Sequence, residues 1–264
     1  MNKRNILIVG GDDIEKQYSA CEWAVSDGLA SGIAIAPVTQ SEENKKILAN
    51  MAASLDVESS WMFVKGNVHT EDFLQRIIPL VKALNPTEKV FLSHCAYFTN
   101  PYINQSFILT DAACVPAPTP EQRTHIIKNA IDLFERMHSG IDIVPNVSFI
   151  SAGGSGNPKT DPELHNWWSN TDFGEINVRL EQLDVALNEE IRKSKGVSGK
   201  TADIIVVKDI NQGNAIWKSL TAVSGCGWSV SGLLMGAKFP IILSSRGDNI
   251  SSIKGSIKLG AMLY

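Results

Sequence analysis

The chain lacks an excess of positive charge, a long apolar run and any paired cysteines, and each absence excludes a class of function. Its formal net charge is -4, which argues against a general nucleic-acid binder, whose surface must carry enough Lys and Arg to displace counterions. No stretch reaches the ~20 apolar residues that a membrane-spanning helix needs. The four cysteines, Cys21, Cys95, Cys114 and Cys226, form no C-x-x-C pair and have no histidine at zinc-ligand spacing. They read as reduced, mostly buried thiols. The apolar residues 6–9 are too few for a signal-peptide core and give way to Gly10-Gly11-Asp12-Asp13. These absences lead to the expectation of a cytoplasmic protein with no nucleic-acid or membrane partner and no bound metal.

What is present is an ordinary globular composition. The 264 residues are 44% hydrophobic and 20% charged, enough for one large domain or two modest ones with a core that needs no staples. Strand-like and helix-like segments alternate. Residues 6–9, 33–36 and 61–64 read as strands, the second ended by Pro37. Residues 16–29, 42–55 and 71–84 read as helices, the last with Pro79 as a kink point. Such a β-α-β-α order argues for a parallel sheet covered by helices. Asn85-Pro86-Thr87 is a plausible boundary. Beyond it, strands are expected at 90–93, 106–109, 147–150, 203–207, 229–235 and 239–243. Helices are expected at 121–137, 214–222 and Ile250–Leu263.

Two phosphate-binding patterns almost occur. Gly10-Gly11-Asp12 follows a strand but lacks the G-x-G-x-x-G spacing, and its acidic neighbours would repel a pyrophosphate. Gly232-Leu-Leu-Met-Gly236-Ala237-Lys238 has the wrong spacing for a P-loop, and Phe239 stands where a hydroxyl is needed. The stretch Gly153-Gly154-Ser155-Gly156 is too short for a linker and suits a loop whose backbone approaches something closely.

The order of segments in the C-terminal third is more specific. A strand at 203–207 is followed by Gly213-Asn214, then Lys218-Ser219-Leu220. Gly236-Ala237-Lys238-Phe239-Pro240 and Ser244-Ser245-Arg246 come next, with Asp248 after them. Upstream stand Lys65-Gly66 with Thr70, Leu92-Ser93-His94, Thr110-Asp111-Ala112-Ala113, Pro120-Glu121-Gln122 and the small-residue loop from Ser151. In this order the chain resembles the phosphate acetyl- and butyryltransferase family over nearly its whole length, the butyryl branch above all.

The resemblance implies two α/β domains around a cleft, as in isocitrate/isopropylmalate dehydrogenases. Residues 1–86 with 246–264 would form one domain and 87–245 the other, with the active-site cleft between them. It implies a dimeric enzyme that moves a short-chain acyl group between coenzyme A and inorganic phosphate by direct thiolate attack. CoA would be a substrate, and no cofactor would be bound tightly. Arg246 would hold phosphate, because an always-charged forked donor suits a dianion. Ser245 would donate to the carbonyl oxygen or the phosphate. Asp248 and Asp111 are the carboxylates available to take the thiol proton, although each also suits a turn or cap.

The implied substrate-binding set comprises Lys65, Gly66, Thr70, Ser93, His94, Thr110, Ser151, Gly154, Ser155, Gly213, Asn214 and Lys238. Within it, Lys65 is either a cleft lysine or a turn residue, and His94 either a ligand contact or a core histidine. Gly213-Asn214 is either an anion-binding helix start or an ordinary cap.

The chain departs from the family pattern in its middle. Val178-Arg179-Leu180-Glu181 stands where an Asp-Gly is usual before Asp184-Val185-Ala186, and Val115 replaces a common asparagine. These departures carry the alternative reading, a degenerate homologue that binds CoA or an acyl ligand without turnover.

Overall fold

The computed structural model describes residues 3–11, 13–36, 61–84, 89–155, 157–223 and 225–264. The helix expected at 42–55, Pro37, the boundary at 85–87 and Gly156 lie outside these residues. In chain order the elements begin with β1 (Arg4–Val9), α1 (Glu15–Ser26), β2 (Ala30–Ala36), β3 (Trp61–Lys65) and α2 (Thr70–Leu84). There follow β4 (Ser93–Asn100), β5 (Gln105–Thr110), α3 (Pro120–Met137), β6 (Val147–Ile150), α4 (Pro162–Asn170) and β7 (Val178–Glu181). The chain continues through α5 (Leu183–Leu187), α6 (Glu189–Ser194), β8 (Ile204–Val206) and α7 (Ile210–Ala222). It ends with β9 (Ser229–Met235), β10 (Ile241–Ile242) and α8 (Ile250–Leu263). The architecture is mixed α/β. No helix among the described residues is long and apolar enough to cross a membrane.

The chain divides into two compact units, Met1–Leu92 with Val230–Tyr264, and Ser93–Ser229. In the first unit the strand order is β2-β1-β3-β10-β9, with β9 antiparallel to β10 and the other pairings parallel. Ile6, Leu7, Ile8 and Val9 are all buried, as befits a parallel strand covered on both faces. α8 packs on α1 within this unit, and Ile253 and Ile257 supply its buried stripe. The Asn249 side chain caps α8 by accepting from the Ser252 amide at 2.8 Å.

In the second unit the order is β4-β5-β8-β6-β7. Here β5, β8, β6 and β7 are mutually parallel, and β4 runs antiparallel to β5. Helix α3 begins at a full capping box. The Thr119 hydroxyl accepts from the Gln122 amide, and the Gln122 side chain accepts from the Thr119 amide at 2.9 Å.

Three expected segments are displaced in the structure. The strand expected at 90–93 lies instead at Ser93–Asn100, so Ser93 and His94 open a strand rather than close one. The helix expected from residue 214 begins at Ile210, because the Asp209 carboxylate caps it by accepting from the amides of Asn211 and Gln212, both at 2.9 Å. Gly213 and Asn214 therefore lie inside the helix and do not cap it. The last strand is Ile241–Ile242 rather than 239–243. Helices α4, α5 and α6 and strand β7 had no sequence expectation.

Candidate functional site

In the first unit the carboxyl ends of β1, β3 and β10 share one edge, the edge at which parallel α/β sheets gather ligands. Gly10 and Gly11 follow β1 with φ of 96° and 91°. A Cβ on Gly66 would run into the Gly10 carbonyl, and one on Gly11 would lie 3.0 Å from the Asn67 backbone. The glycines thus let the turns after β1 and β3 press together, which accounts for the Gly-Gly pair without a nucleotide. Lys65, the last residue of β3, is 1% exposed. Its Nζ donates to the carbonyls of Ser244 at 3.2 Å and Gly66 at 3.4 Å. That lysine joins the β3 and β10 ends instead of reaching into solvent. Thr70 opens α2, half-buried.

The turn after β10 is built around Asp248. Its Oδ2 accepts from the Ser245 amide at 2.7 Å, and its own amide donates to the Ser245 carbonyl at 3.0 Å. The Ser244 hydroxyl is buried without a hydrogen-bond partner among the described residues. Arg246 is exposed, with Nη1 3.3 Å from His69 Nε2, where a neutral imidazole accepts. Lys65, Ser244, Ser245, Arg246 and Asp248 therefore share one edge. Lys238 does not join them. It is exposed in the connection from β9 to β10, at the opposite end of β10.

In the second unit β4 starts beside the end of β5, with Cys95 facing Thr110. The antiparallel pairing is what brings Ser93 and His94 to Thr110 and Asp111. The Thr110 hydroxyl donates to the His94 carbonyl at 2.9 Å. The buried His94 ring stacks on Trp217 of α7 at 4.9 Å between centroids, and Ser93 accepts from Asn129 at 2.9 Å.

Asp111 is 2% exposed. Its carboxylate accepts from the amides of Ala113 and Cys114, both at 2.8 Å, and of His94 at 3.0 Å. Burial pushes this carboxyl up to about 6, and the amides that point at it hold the rise back. Gly213 presses α7 onto the same turn. A Cβ there would lie 2.8 Å from Ala112 Cα. Asn214 is exposed on α7.

The loop after β6 turns back along the sheet. Ser151 is buried and its amide donates to the Glu181 carbonyl, Gly154 takes φ of 57°, and the exposed Ser155 donates its amide to the Leu180 carbonyl.

A family model described as phosphate acetyl/butaryl transferase matches residues 13–261. The chain belongs to this family. It is 31% identical over 211 residues to the phosphate butyryltransferase of Clostridium acetobutylicum, covering 76% of this chain and 68% of that one. It is 28% identical over 238 residues to the phosphate acetyltransferase of Rickettsia felis, covering 86% and 65%. The chain thus spans about two thirds of the length of these curated relatives. A branched-chain phosphotransacylase from Enterococcus faecalis V583 shares the fold with a TM-score of 0.75 at 23% identity, over 98% of each chain.

Three polar side chains near this transferase family's segments escaped the sequence reading. His69, beside Arg246, sits in the Lys-Gly loop but matches no motif letter. Arg123 on α3 is buried with its guanidinium over the Trp167 ring at 5.5 Å, and it pairs with Glu163 at 3.1 Å. Lys208, just past β8, pairs with Asp161 at 2.6 Å. Burial alone would raise the Asp161 carboxyl, but Lys208 and the Leu164 amide hold it below its ordinary value. The fold brings Arg123 and Lys208 to acidic partners at the start of α4, Glu163 and its N-cap Asp161.

Proposed function

We propose that the chain transfers a short-chain acyl group between CoA and inorganic phosphate: acyl-CoA + phosphate = acyl phosphate + CoA. The observation that carries this reading is the Ser-Arg turn of residues 244–248. It stands at the carboxyl edge of a parallel sheet in a chain whose family is phosphate acetyl/butyryltransferase. In the direction of CoA acylation, the thiolate attacks the carbonyl carbon of the acyl phosphate. A C–S bond forms, the oxygen becomes an oxyanion, and the C–O bond to phosphate then breaks. Arg246 binds the phosphate as a forked cation. Ser245 donates to the developing oxyanion. Asp248, two residues from Arg246, receives the thiol proton, and Asp111 is the alternative base.

Lys65, Gly66, Thr70, Ser93, His94, Thr110, Ser151, Gly154, Ser155, Gly213, Asn214 and Lys238 complete the proposed substrate-binding set. Lys65, His94, Thr110 and Gly213 shape turns in it. CoA enters as a substrate and not as a resident cofactor. The proposal extends to a cytoplasmic homodimer with the isocitrate/isopropylmalate dehydrogenase-like domain arrangement.

The test is Arg246→Ala in a phosphate-dependent thiol-release assay with acetyl-, propionyl-, butyryl- and isobutyryl-CoA. Loss of one such donor is expected to lower kcat/KM by about 10²- to 10³-fold on the best substrate. An unchanged rate would overturn the assignment of Arg246. Parent protein that is folded and binds CoA yet releases no thiol from any of the four would favour the degenerate reading.

A further inference from the structure

At the outer edge of the second unit, beside β7, lies a cavity of about 430 Å³, a size suited to a small metabolite. Arg179, Arg192 and Lys195 line it, against one lining carboxylate, Glu181. Asp184 and Asp203 act on Lys195 and Arg179 from outside the lining.

The two arginines differ in how their donors are used. Arg192 is 0% exposed and saturated. Its five N–H groups meet both Glu181 oxygens, at 2.8 and 3.0 Å, and the carbonyls of Val185, Ser198 and Gly199. Glu181 also accepts from the Ser148 hydroxyl at 2.7 Å, so that carboxylate is committed to holding Arg192. Arg179 is not saturated. It donates to the Lys200 carbonyl at 3.1 Å, and its Nε stands 3.4 Å from Glu181 Oε1. Its Nη2 is buried with no hydrogen-bond partner among the described residues. A half-buried guanidinium that pairs with Glu181 and Lys200 and still has a donor unused among the described residues can take a further acceptor. Lys195 adds an exposed ammonium at the rim, near Gln182 and Asp184. Trp168, Val178 and Val185 make the apolar part of the wall.

We infer that this cavity is a second small-molecule site, one that takes a phosphate monoester, with Arg179 as the anchoring donor and Lys195 supporting it. A phosphate offers a dianion and several acceptors to a forked donor. The indole and aliphatic wall suits a ring carried on that phosphate. The occupant is either the nucleotide end of CoA or a smaller free phosphate, and the two are separable by experiment. The site owes nothing to Arg246; with a free phosphate as occupant it stands apart from the acyl-transfer reading, and with the nucleotide end of CoA it rests on that reading. Gly154 and Ser155 belong to its lining, so the loop after β6 serves this cavity.

The test is calorimetric titration of the full chain with adenosine 3′,5′-bisphosphate and, separately, with inorganic phosphate. Parent, Arg179→Gln, Lys195→Ala and Arg246→Gln are compared, and each variant's melting temperature is checked. Binding of the bisphosphate, or of phosphate measured in the Arg246→Gln background, that weakens at least tenfold with Arg179→Gln and severalfold with Lys195→Ala supports the site. Nucleotide binding without phosphate binding identifies the nucleotide as the occupant, and binding of phosphate with equal strength identifies the smaller anion. Lys195→Ala, a surface change, keeps the test valid if Arg179→Gln fails to fold. No binding of either probe to the folded parent, binding that both cavity variants retain, or binding that only Arg246→Gln loses would overturn the proposal.

Discussion

Asp111 is the residue whose environment departs furthest from that of a surface carboxylate. The amides of His94, Ala113 and Cys114 converge on it, and desolvation still wins, raising its pKa from an ordinary carboxylate value to about 6. The sign of the consequence follows from proton linkage. Between pH 4 and 6 the folded protein keeps this proton where the unfolded chain has lost it. The group's contribution to stability is therefore fully present below pH 4 and is lost as pH rises through 6. We predict that the stability of the parent relative to Asp111→Asn, measured by urea denaturation, falls between pH 4 and 6 and is level above. A gap that widens with pH would show that the folded site prefers the anion. Glu181 behaves in the opposite way. Burial would raise its carboxyl, but Arg192, Ser148 and Arg179 together hold it below its ordinary value. At this scale the sequence offered Asp111 and Asp248 as base or turn residues without deciding, because the partners that organise each turn are backbone amides, which leave no mark in a sequence.

Among the elements, close approach at glycine is the constraint most open to test. Gly213 reads as a helix start because asparagine follows it and glycine weakens a helix interior. Asp209, four residues earlier, takes the cap instead, and Gly213 is left to bring α7 onto the Asp111 turn. Gly213→Ala should therefore destabilise the protein by about 1–3 kcal/mol through overpacking, outweighing the ~1 kcal/mol gained in helix propensity. A rise in the chemical-denaturation midpoint would show that α7 yields at no cost.

The strand at Ser93–Asn100 shows the complementary failure. Its polar and aromatic residues, from Ser93 to Asn100, carry little strand signal beside the apolar residues that precede them. The pairing of Cys95 with Thr110 through Asn100 with Gln105, closed by a turn with Asn104 at φ 47°, is what makes it a strand. Pro101 and Asn104 were turn signals that could have revealed it. At β7 the buried Glu181 interrupts the apolar pattern, so the edge strand was legible only through its pairing with β6. Where apolar runs or caps were strong, as in β1, β3, α3 and α8, sequence and structure agree to within a residue or two.

For the whole molecule, the chain builds most of one compact unit, leaves it at Leu92 for a second, and returns at Val230. This excursion explains why the family's motifs appear as scattered short segments. Several mark the end of a strand, as at Lys65, Thr110, Ser151 and Ser244, and strands that neighbour each other in a sheet can lie far apart in sequence. Lys65 and Ser244 are 179 positions apart and joined by a 3.2 Å contact. The order of these segments was readable, and with it the family. What each side chain touches was not, since those contacts are made across long sequence separations.

Phosphorus NMR reads the proposed movement of the acyl group from CoA to phosphate directly. Purified protein is incubated with butyryl-CoA and inorganic phosphate while the phosphorus spectrum is followed. An acyl phosphate resonance should grow in step with free CoA and be consumed again when CoA is added in excess. CoA released with no acyl phosphate formed, the mark of thioester hydrolysis, would contradict the proposed transfer.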